Sequence, residues 1–226
     1  MATMVAARDS LNWVVYDKRV VGHARDFEVY HGVKLSTFVN VSAHTALASL
    51  FQTLEGMAAT KGRPVRIIID CHGVPGVMIL GRECVSMANL TQFGERIGKL
   101  LDRDTAVEKL PRIEILGCHV ASPVPNNGAR ELKGMGFDLP KGLRSENGAL
   151  FCMRLAMVAN CYVMASSAAQ EALYFGQSVS RGPGRINDPW EMSWEDYEAQ
   201  YGPGGIATPG WCGPVYTFHP DGHISL

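Results

Sequence analysis

The sequence lacks the marks of several large protein classes. Its six cysteines form no CxxC pair and are scattered along 226 residues, at Cys71, Cys84, Cys118, Cys152, Cys161 and Cys212. This distribution argues against a disulfide scaffold and favours a reducing compartment. The 21 Lys and Arg residues almost balance the 22 Asp and Glu residues. Charge therefore indicates neither a nucleic-acid partner nor an anionic membrane surface.

Long apolar runs are absent as well. The N-terminal residues MATMVAARDSLNW contain no apolar stretch of the kind found in Sec-type signal peptides. No segment approaches the roughly 18 consecutive apolar residues that mark a membrane span. We therefore expect a protein without a membrane span that is cytoplasmic or delivered by a dedicated secretion system.

The chain does have a hydrophobic content of 46%, which is enough for one large core. Short β-branched runs alternate with helical patterns, and this alternation predicts an α/β fold. Strands are predicted at 11–16, 37–41, 63–70, 109–117, 161–165 and 215–219. Helices are predicted at 43–60, 90–102, 149–159 and 191–200, the first with Ser42 as its N-cap. The segment 73–81 predicts a tight turn followed by a short strand. We expect one domain over 1–226, with a motif-bearing core at about 65–170 and an irregular C-terminal extension at about 176–226.

Reactive side chains follow two of the buried strands. The run RIIID leads into Cys71-His72-Gly73, and IEILG leads into Cys118-His119. In open α/β sheets, ligands bind beyond the carboxyl ends of the strands. If the two strands are neighbours, an imidazole and a thiol face each other there, which is how a cysteine nucleophile is activated. The backbone N–H groups of Gly73 and Cys118 are candidate oxyanion donors.

The same residues allow a second interpretation. Cys71, His72, Cys118 and His119 together provide two sulfur and two nitrogen ligands, a set that zinc accepts. Adjacent residues of an extended chain point to opposite faces, however, so neighbouring Cys and His side chains rarely bind one ion. We favour the interpretation in which Cys71 packs at the strand end and His119 lines the loop.

The segment IIIDCHGVPGVMILG, followed by IEILGCHVAS, resembles the clan CD cysteine peptidases. These include caspases, metacaspases, clostripain, legumain, gingipains and separase. The closest resemblance is to the self-processing cysteine protease domains of bacterial toxins and related uncharacterised bacterial domains. It covers about 65–170 and implies a caspase-like three-layer sandwich, with a mostly parallel central sheet flanked by helices. It also implies that His72 is the general acid/base, that Cys118 is the nucleophile, and that the amides of Gly73 and Cys118 form the oxyanion hole. No cofactor is implied.

The resemblance also bears on specificity. Branches of the clan that cleave after basic residues have an acid two residues before the nucleophile, whereas this chain has Leu116. We therefore expect an uncharged P1 residue. Ser166 and Ser167 follow a strand at the place where the clan builds one wall of its primary pocket. An N-cap of a following helix is an equally open interpretation of these serines.

The long connection 121–148 has little periodicity, and connections of this length are usually functional or disordered. Loops at this place in the clan are often cut on activation. If P1 is uncharged, self-cleavage after Leu132, Leu139 or Leu143 is a further hypothesis.

The sequence thus predicts a cysteine endopeptidase that acts on a protein or peptide substrate through an acyl-enzyme. The alternative is a catalytically silent caspase-fold module that binds or scaffolds other proteins. A regulatory partner and a homodimer remain open for either function. The chain contains neither the GxSxG motif of α/β-hydrolases nor a phosphate loop that ends in Lys-Ser/Thr.

Overall fold

The computed structural model describes residues 11–20, 37–104, 111–127, 130, 133–134, 139, 143–168 and 214–226. Its strands are β1 (Asn12–Asp17), β2 (Phe38–Val41), β3 (Arg66–Asp70), β4 (His72–Val74), β5 (Val77–Leu80), β6 (Glu83–Val85), β7 (Arg112–Ile115), β8 (Tyr162–Ser166), β9 (Val215–Phe218) and β10 (Ile224–Ser225). Its longer helices are α1 (Leu47–Lys61), α2 (Leu90–Leu100) and α3 (Gly148–Ala159). The predicted helix at 191–200 lies outside the described residues.

Seven strands form one sheet in the order β2-β1-β3-β7-β8-β9-β10. The first five strands of this order are parallel, and β9 and β10 run antiparallel to their neighbours. The predicted α/β class with a mostly parallel sheet is therefore confirmed. β3 and β7 are adjacent, with Ile69 opposite Ile115 at their carboxyl ends. The loops that follow these two strands consequently leave the same edge of the sheet.

The three helices pack against one face of the sheet. Side chains that alternate along the strands, such as Trp13, Ile67 and Ile113, are fully buried there together with Phe151 of α3. Burying apolar area of this kind stabilises the layered arrangement by about 25 cal/mol per Å². Residues of the opposite parity, including Val14, are also fully buried. The sheet is thus apolar on both faces, as the continuous hydrophobic runs of its central strands predict.

A second, antiparallel sheet with the order β4-β5-β6 follows β3 directly. Pro75 and Gly76 close its first hairpin, and Gly76 takes a φ of 73°, a conformation that residues with a Cβ rarely adopt. The turn and the strand after it were predicted from 73–81. Strand β6 was not, because Glu83–Val85 is too short to produce a periodic signal. This small sheet carries His72 at its start.

The beginning of α1 differs from the prediction. Ser42 is not the N-cap, since its N–H donates to Thr45 Oγ1 (3.0 Å) in a separate turn, and the helix begins at Leu47. The Leu47 N–H instead donates to the carboxylate of Glu83, 36 residues downstream. A carboxylate at a helix N-terminus satisfies an otherwise unpaired donor and interacts favourably with the helix dipole.

Within the described ranges, no helix is both long and apolar enough to cross a bilayer.

Candidate active site

The loops that follow β3 and β7 are in direct backbone contact. A Cβ placed on Gly73 would lie 3.0 Å from the carbonyl oxygen of Cys118 and would overlap the side chain of Val120. On the other side of the contact, a Cβ on Gly117 would lie 3.4 Å from the carbonyl oxygen of Cys71. A Cβ on Gly117 would also lie 2.7 Å from the Val120 side chain, so both positions favour glycine. The structure therefore brings the His72 and Cys118 segments together at the carboxyl edge of adjacent parallel strands.

His72 lies in a defined hydrogen-bonding environment. Its Nε2 is 3.1 Å from the main-chain carbonyl oxygen of Arg19. A carbonyl oxygen can only accept, so Nε2 carries the proton and the lone pair of the neutral ring is on Nδ1. Burial lowers the pKa of His72, against smaller opposing contributions from the Arg19 carbonyl and the charge of Asp17. The ring is therefore held in the neutral form that a general base needs.

Cys118 differs from the other described cysteines in its exposure. It is partly exposed, whereas Cys71, Cys84, Cys152 and Cys161 are buried. Burial raises the pKa of the Cys71 thiol, raises that of Cys84 to about 11 and raises that of Cys161 to about 12. Such thiols stay protonated and unreactive near neutral pH. Among the described cysteines, Cys118 is thus the one that a substrate can reach.

The turn that carries Cys118 is held in an uncommon backbone conformation. His119 takes a φ of 56°, and the Val120 N–H reaches the Gly117 carbonyl at 3.5 Å. A positive φ at a residue with a side chain costs on the order of 1 kcal/mol. Two hydrogen bonds offset this cost: the His119 N–H donates to Ala168 O (2.8 Å), and its ring Nδ1 donates to Ser167 O (2.9 Å). His119 therefore anchors the Cys118 turn to the segment after β8.

The Gly73 N–H points away from its own hairpin. Val74 and Val77 flank a two-residue turn, so they form a hydrogen-bonded pair, as do His72 and Ile79 one step further along. The intervening pair that contains Gly73 is then a non-hydrogen-bonded pair, and its N–H is directed to the open edge of β4. With Cys118 on the facing turn, the two predicted oxyanion donors lie on neighbouring backbone segments.

Two of the three predicted pocket residues, Leu116 and Ser166, lie on the face of the sheet opposite the described helices. The Leu116 N–H donates to Ile69 O (2.8 Å), which extends the β3–β7 ladder beyond β7. Because Ile115 is opposite Ala165, Leu116 is opposite Ser166. Leu116 is 8% exposed and packs in an apolar cluster with Ile68. Ser166 is fully buried, and its Oγ accepts from the Ala168 N–H at 3.0 Å, while the carbonyl of Ser167 accepts from His119.

A carboxyl group at the end of β3 lies on the same face as Leu116 and Ser166. Asp70 follows Ile69 in β3 and is therefore the neighbour of Leu116 on the same face. Its side chain is buried, and burial together with the negative charge of Asp17 raises its pKa to about 8. Asp70 is consequently protonated near neutral pH. The three neighbouring side chains of Asp70, Leu116 and Ser166 on this face are therefore all uncharged.

Two residues at the end of β1 complete the site and were missed by sequence reasoning. Asp17 is fully buried and paired with Arg19 at 2.6 Å. Burial raises the pKa of its carboxyl, but hydrogen bonds from Arg19 and Gly81 outweigh this effect and hold the pKa below its usual value. The signal was present in the sequence: LNWVVYD is a third strand that ends in a titratable residue, like the strands before His72 and Cys118.

Comparison with models of known protein families, with curated proteins and with solved structures found no match to this chain. Within the part of the chain that the structure describes, no three His, Cys, Asp or Glu side chains are grouped to hold a metal ion. The structure places the loop with the partly exposed Cys118 thiol against the loop that begins with the neutral His72 imidazole.

Proposed function

We propose that this chain is a cysteine peptidase of the caspase-like type, with Cys118 as the nucleophile and His72 as the general acid/base. The observation that carries the proposal is the contact between Gly73 and the carbonyl of Cys118. It joins the segment that holds a neutral imidazole to the segment that holds the accessible thiol. The proposal includes a caspase-like three-layer sandwich. The mostly parallel sheet, the helical layer on one face and the burial of the other support that architecture.

In the proposed reaction, Nδ1 of His72 accepts the proton of the Cys118 thiol, and the thiolate attacks the carbonyl carbon of the scissile peptide bond. The N–H groups of Gly73 and Cys118 donate to the oxyanion of the tetrahedral intermediate. The C–N bond then breaks as His72 gives its proton to the leaving amine, which leaves a thioester on Cys118. Water, deprotonated by His72, hydrolyses the thioester and regenerates the thiol.

The three neighbouring uncharged side chains of Asp70, Leu116 and Ser166 support an uncharged P1 residue. Leu116 is apolar, Ser166 uses its hydroxyl in a local hydrogen bond, and the raised pKa of Asp70, about 8, keeps that carboxyl neutral at pH 7. A lysine or arginine side chain placed beside these groups would lose its hydration without gaining an opposite charge. We therefore propose that the enzyme prefers uncharged side chains at P1.

Selective alkylation tests the proposal. Folded protein is treated with iodoacetamide at pH 6–7, and the modified cysteines are mapped by mass spectrometry. Cys118 is expected to react faster than a model thiol. The His72→Ala substitution is expected to lower the alkylation rate of Cys118 to that of the model thiol. The buried thiols Cys71 and Cys152 serve as internal controls for folding, because they become reactive only when the core opens.

A peptide library then reports the cleavage itself, with Cys118→Ala as the inactive control. Cleavage after uncharged residues that disappears in this variant supports the peptidase. Cys118 reactivity equal to that of a model thiol and indifferent to His72→Ala would count against it. That result would leave a catalytically silent binding module as the better description.

A further inference from the structure

A buried carboxylate organises the loop that contacts His72. Asp17, at the end of β1, accepts four hydrogen bonds, and three of them come from Arg19: the N–H (3.1 Å), Nε (2.9 Å) and Nη2 (2.6 Å). The fourth comes from the Gly81 N–H at 2.9 Å. A carboxylate that receives both arms of a guanidinium and two main-chain donors fixes the geometry of all these groups.

These bonds connect the end of β1 to the small sheet that carries His72. Gly81 lies in the turn between β5 and β6, and its carbonyl also accepts from Arg19 Nη2 at 2.7 Å. Arg19 is therefore held through its main chain and its side chain at once. Its carbonyl oxygen is then fixed at 3.1 Å from Nε2 of His72.

We propose that Asp17 is a positioning residue for the reaction of His72 and Cys118. Its carboxylate holds the Arg19 carbonyl where that carbonyl accepts the Nε2–H of His72, and so leaves the lone pair on Nδ1 for the thiol proton. This inference rests on the proposed function, in which His72 is the base. Asp17 acts on the His72 tautomer through the Arg19 carbonyl, and its negative charge adds a smaller direct effect that raises the pKa of His72.

A purely structural role for Asp17 predicts something different. In that case its loss would lower stability, but the His72 ring of the folded protein would keep its tautomer. The chain offers a matched control in Glu114, which is also fully buried and is paired with Arg66 and Arg112, both at 2.7 Å. Its partners begin β3 and β7, at the end of the sheet remote from His72.

The experiment uses protein labelled with ¹⁵N-histidine and compares wild type, Asp17→Asn and Glu114→Gln. Long-range ¹H–¹⁵N correlations identify the tautomer of each ring, and His72→Ala assigns the His72 signals. The Nε2–H tautomer is expected in wild type and in Glu114→Gln, and a mixture of tautomers in Asp17→Asn.

The alkylation rate of Cys118 at pH 7 is expected to fall about tenfold in Asp17→Asn, in line with partial loss of a general base. In Glu114→Gln it is expected to stay within about twofold of wild type, because a remote pair has no route to the base.

If folded Asp17→Asn keeps the Nε2–H tautomer and the wild-type alkylation rate, the inference is overturned. Should Asp17→Asn fail to fold, Arg19→Lys decides, because it retains the charge and the main-chain N–H but loses the guanidinium fork. A tautomer change in that variant supports the inference, and an unchanged tautomer overturns it. If wild-type Cys118 shows no enhanced reactivity, the proposed peptidase function fails separately, since the tautomer measurement does not depend on catalysis.

Discussion

Gly73 packs against the carbonyl oxygen of Cys118 so closely that a Cβ would come within 3.0 Å of it. This contact holds together the loops that follow β3 and β7. It also sets the distance between the imidazole segment and the thiol segment, because each reactive residue is adjacent to, or part of, the contact. Changes at Gly73 therefore affect the chemistry through geometry alone.

Gly73→Ala tests this relationship. The added methyl group overlaps Val120 and presses on the Cys118 carbonyl, so the two loops have to separate. We expect a loss of about 1–3 kcal/mol in the free energy of unfolding and a fall of about tenfold or more in the alkylation rate of Cys118. Urea denaturation and iodoacetamide kinetics measure the two effects.

Gly56→Ala is the matched control for that substitution. Gly56 lies in α1, and a Cβ there meets nothing within 4 Å. This variant is expected to be more stable than wild type by about 0.5–1 kcal/mol, with unchanged Cys118 reactivity. Equal behaviour of the two alanine variants would contradict the role given to the Gly73–Cys118 contact.

Asp70→Asn is expected to change the pH dependence of stability. The pKa of Asp70 is about 8 in the folded protein against an ordinary value of 3.8. Between these values the folded protein retains a proton that the unfolded chain has lost. The contribution of Asp70 to stability is therefore full below about pH 4 and declines as the pH rises toward 8, by about 1.4 kcal/mol per pH unit.

Asparagine does not titrate, so Asp70→Asn removes this decline. Its stability relative to wild type is expected to increase steadily between pH 5 and 7, as measured by urea denaturation in matched buffers. Parallel stability curves for the two proteins across this range would show that the Asp70 carboxyl is already ionised in the folded state.

Substitution of His119, the residue that follows Cys118, tests whether His72 alone acts as the base. The Nδ1 of His119 donates to Ser167 O, and its backbone takes a φ of 56°. His119→Asn keeps a residue that tolerates this φ but removes the imidazole. Cys118 is expected to alkylate within about threefold of the wild-type rate, whereas His72→Ala is expected to remove the enhanced reactivity. Loss of reactivity in His119→Asn alone would transfer the role of base to His119.

Self-cleavage of the connection 121–148 is tested by intact mass over time. Leu139 and Leu143 pack against the apolar cluster of the small sheet, which includes Val77 and Ile79. Leu132 lies outside the described residues. Wild type is expected to accumulate fragments cut in this connection, while Cys118→Ala stays intact under the same conditions. Cleavage after Leu139 or Leu143 is expected to be slow, because each side chain has to leave its packing first. Equal stability of both proteins would remove the hypothesis.

Much of the large sheet could be predicted from the sequence. The continuous apolar runs around Ile68 and Ile113 indicated strands buried on both faces, and the structure has them adjacent and parallel. Helix α3 was predicted within one residue of its bounds, and the structure shows that Asn147 caps its start by accepting from the Leu150 N–H (2.9 Å). These elements were predictable because their signal, an apolar run of strand or helix length, lies within the element itself.

The residue that caps α1 and the hydrogen bonds that hold Arg19 in place could not be predicted in this way. The carboxylate that caps Leu47 comes from Glu83, and the groups that hold Arg19 in place include Gly81, 62 residues away. No local pattern encodes such pairs, because they form only after the strands have taken their order in the sheet. The short strand β6, which contributes Glu83, has no periodicity of its own.

The sequence by itself determined the strand ends at which His72 and Cys118 lie, because apolar runs followed by reactive residues are local features. Only the tertiary structure decided that these ends touch through Gly73, that Nε2 of His72 meets the Arg19 carbonyl, and that Asp70 joins Leu116 on one face. The physical reason is that pKa values, tautomers and accessibility depend on burial and on neighbours from other strands. Those neighbours are set by the order of the strands in the sheet.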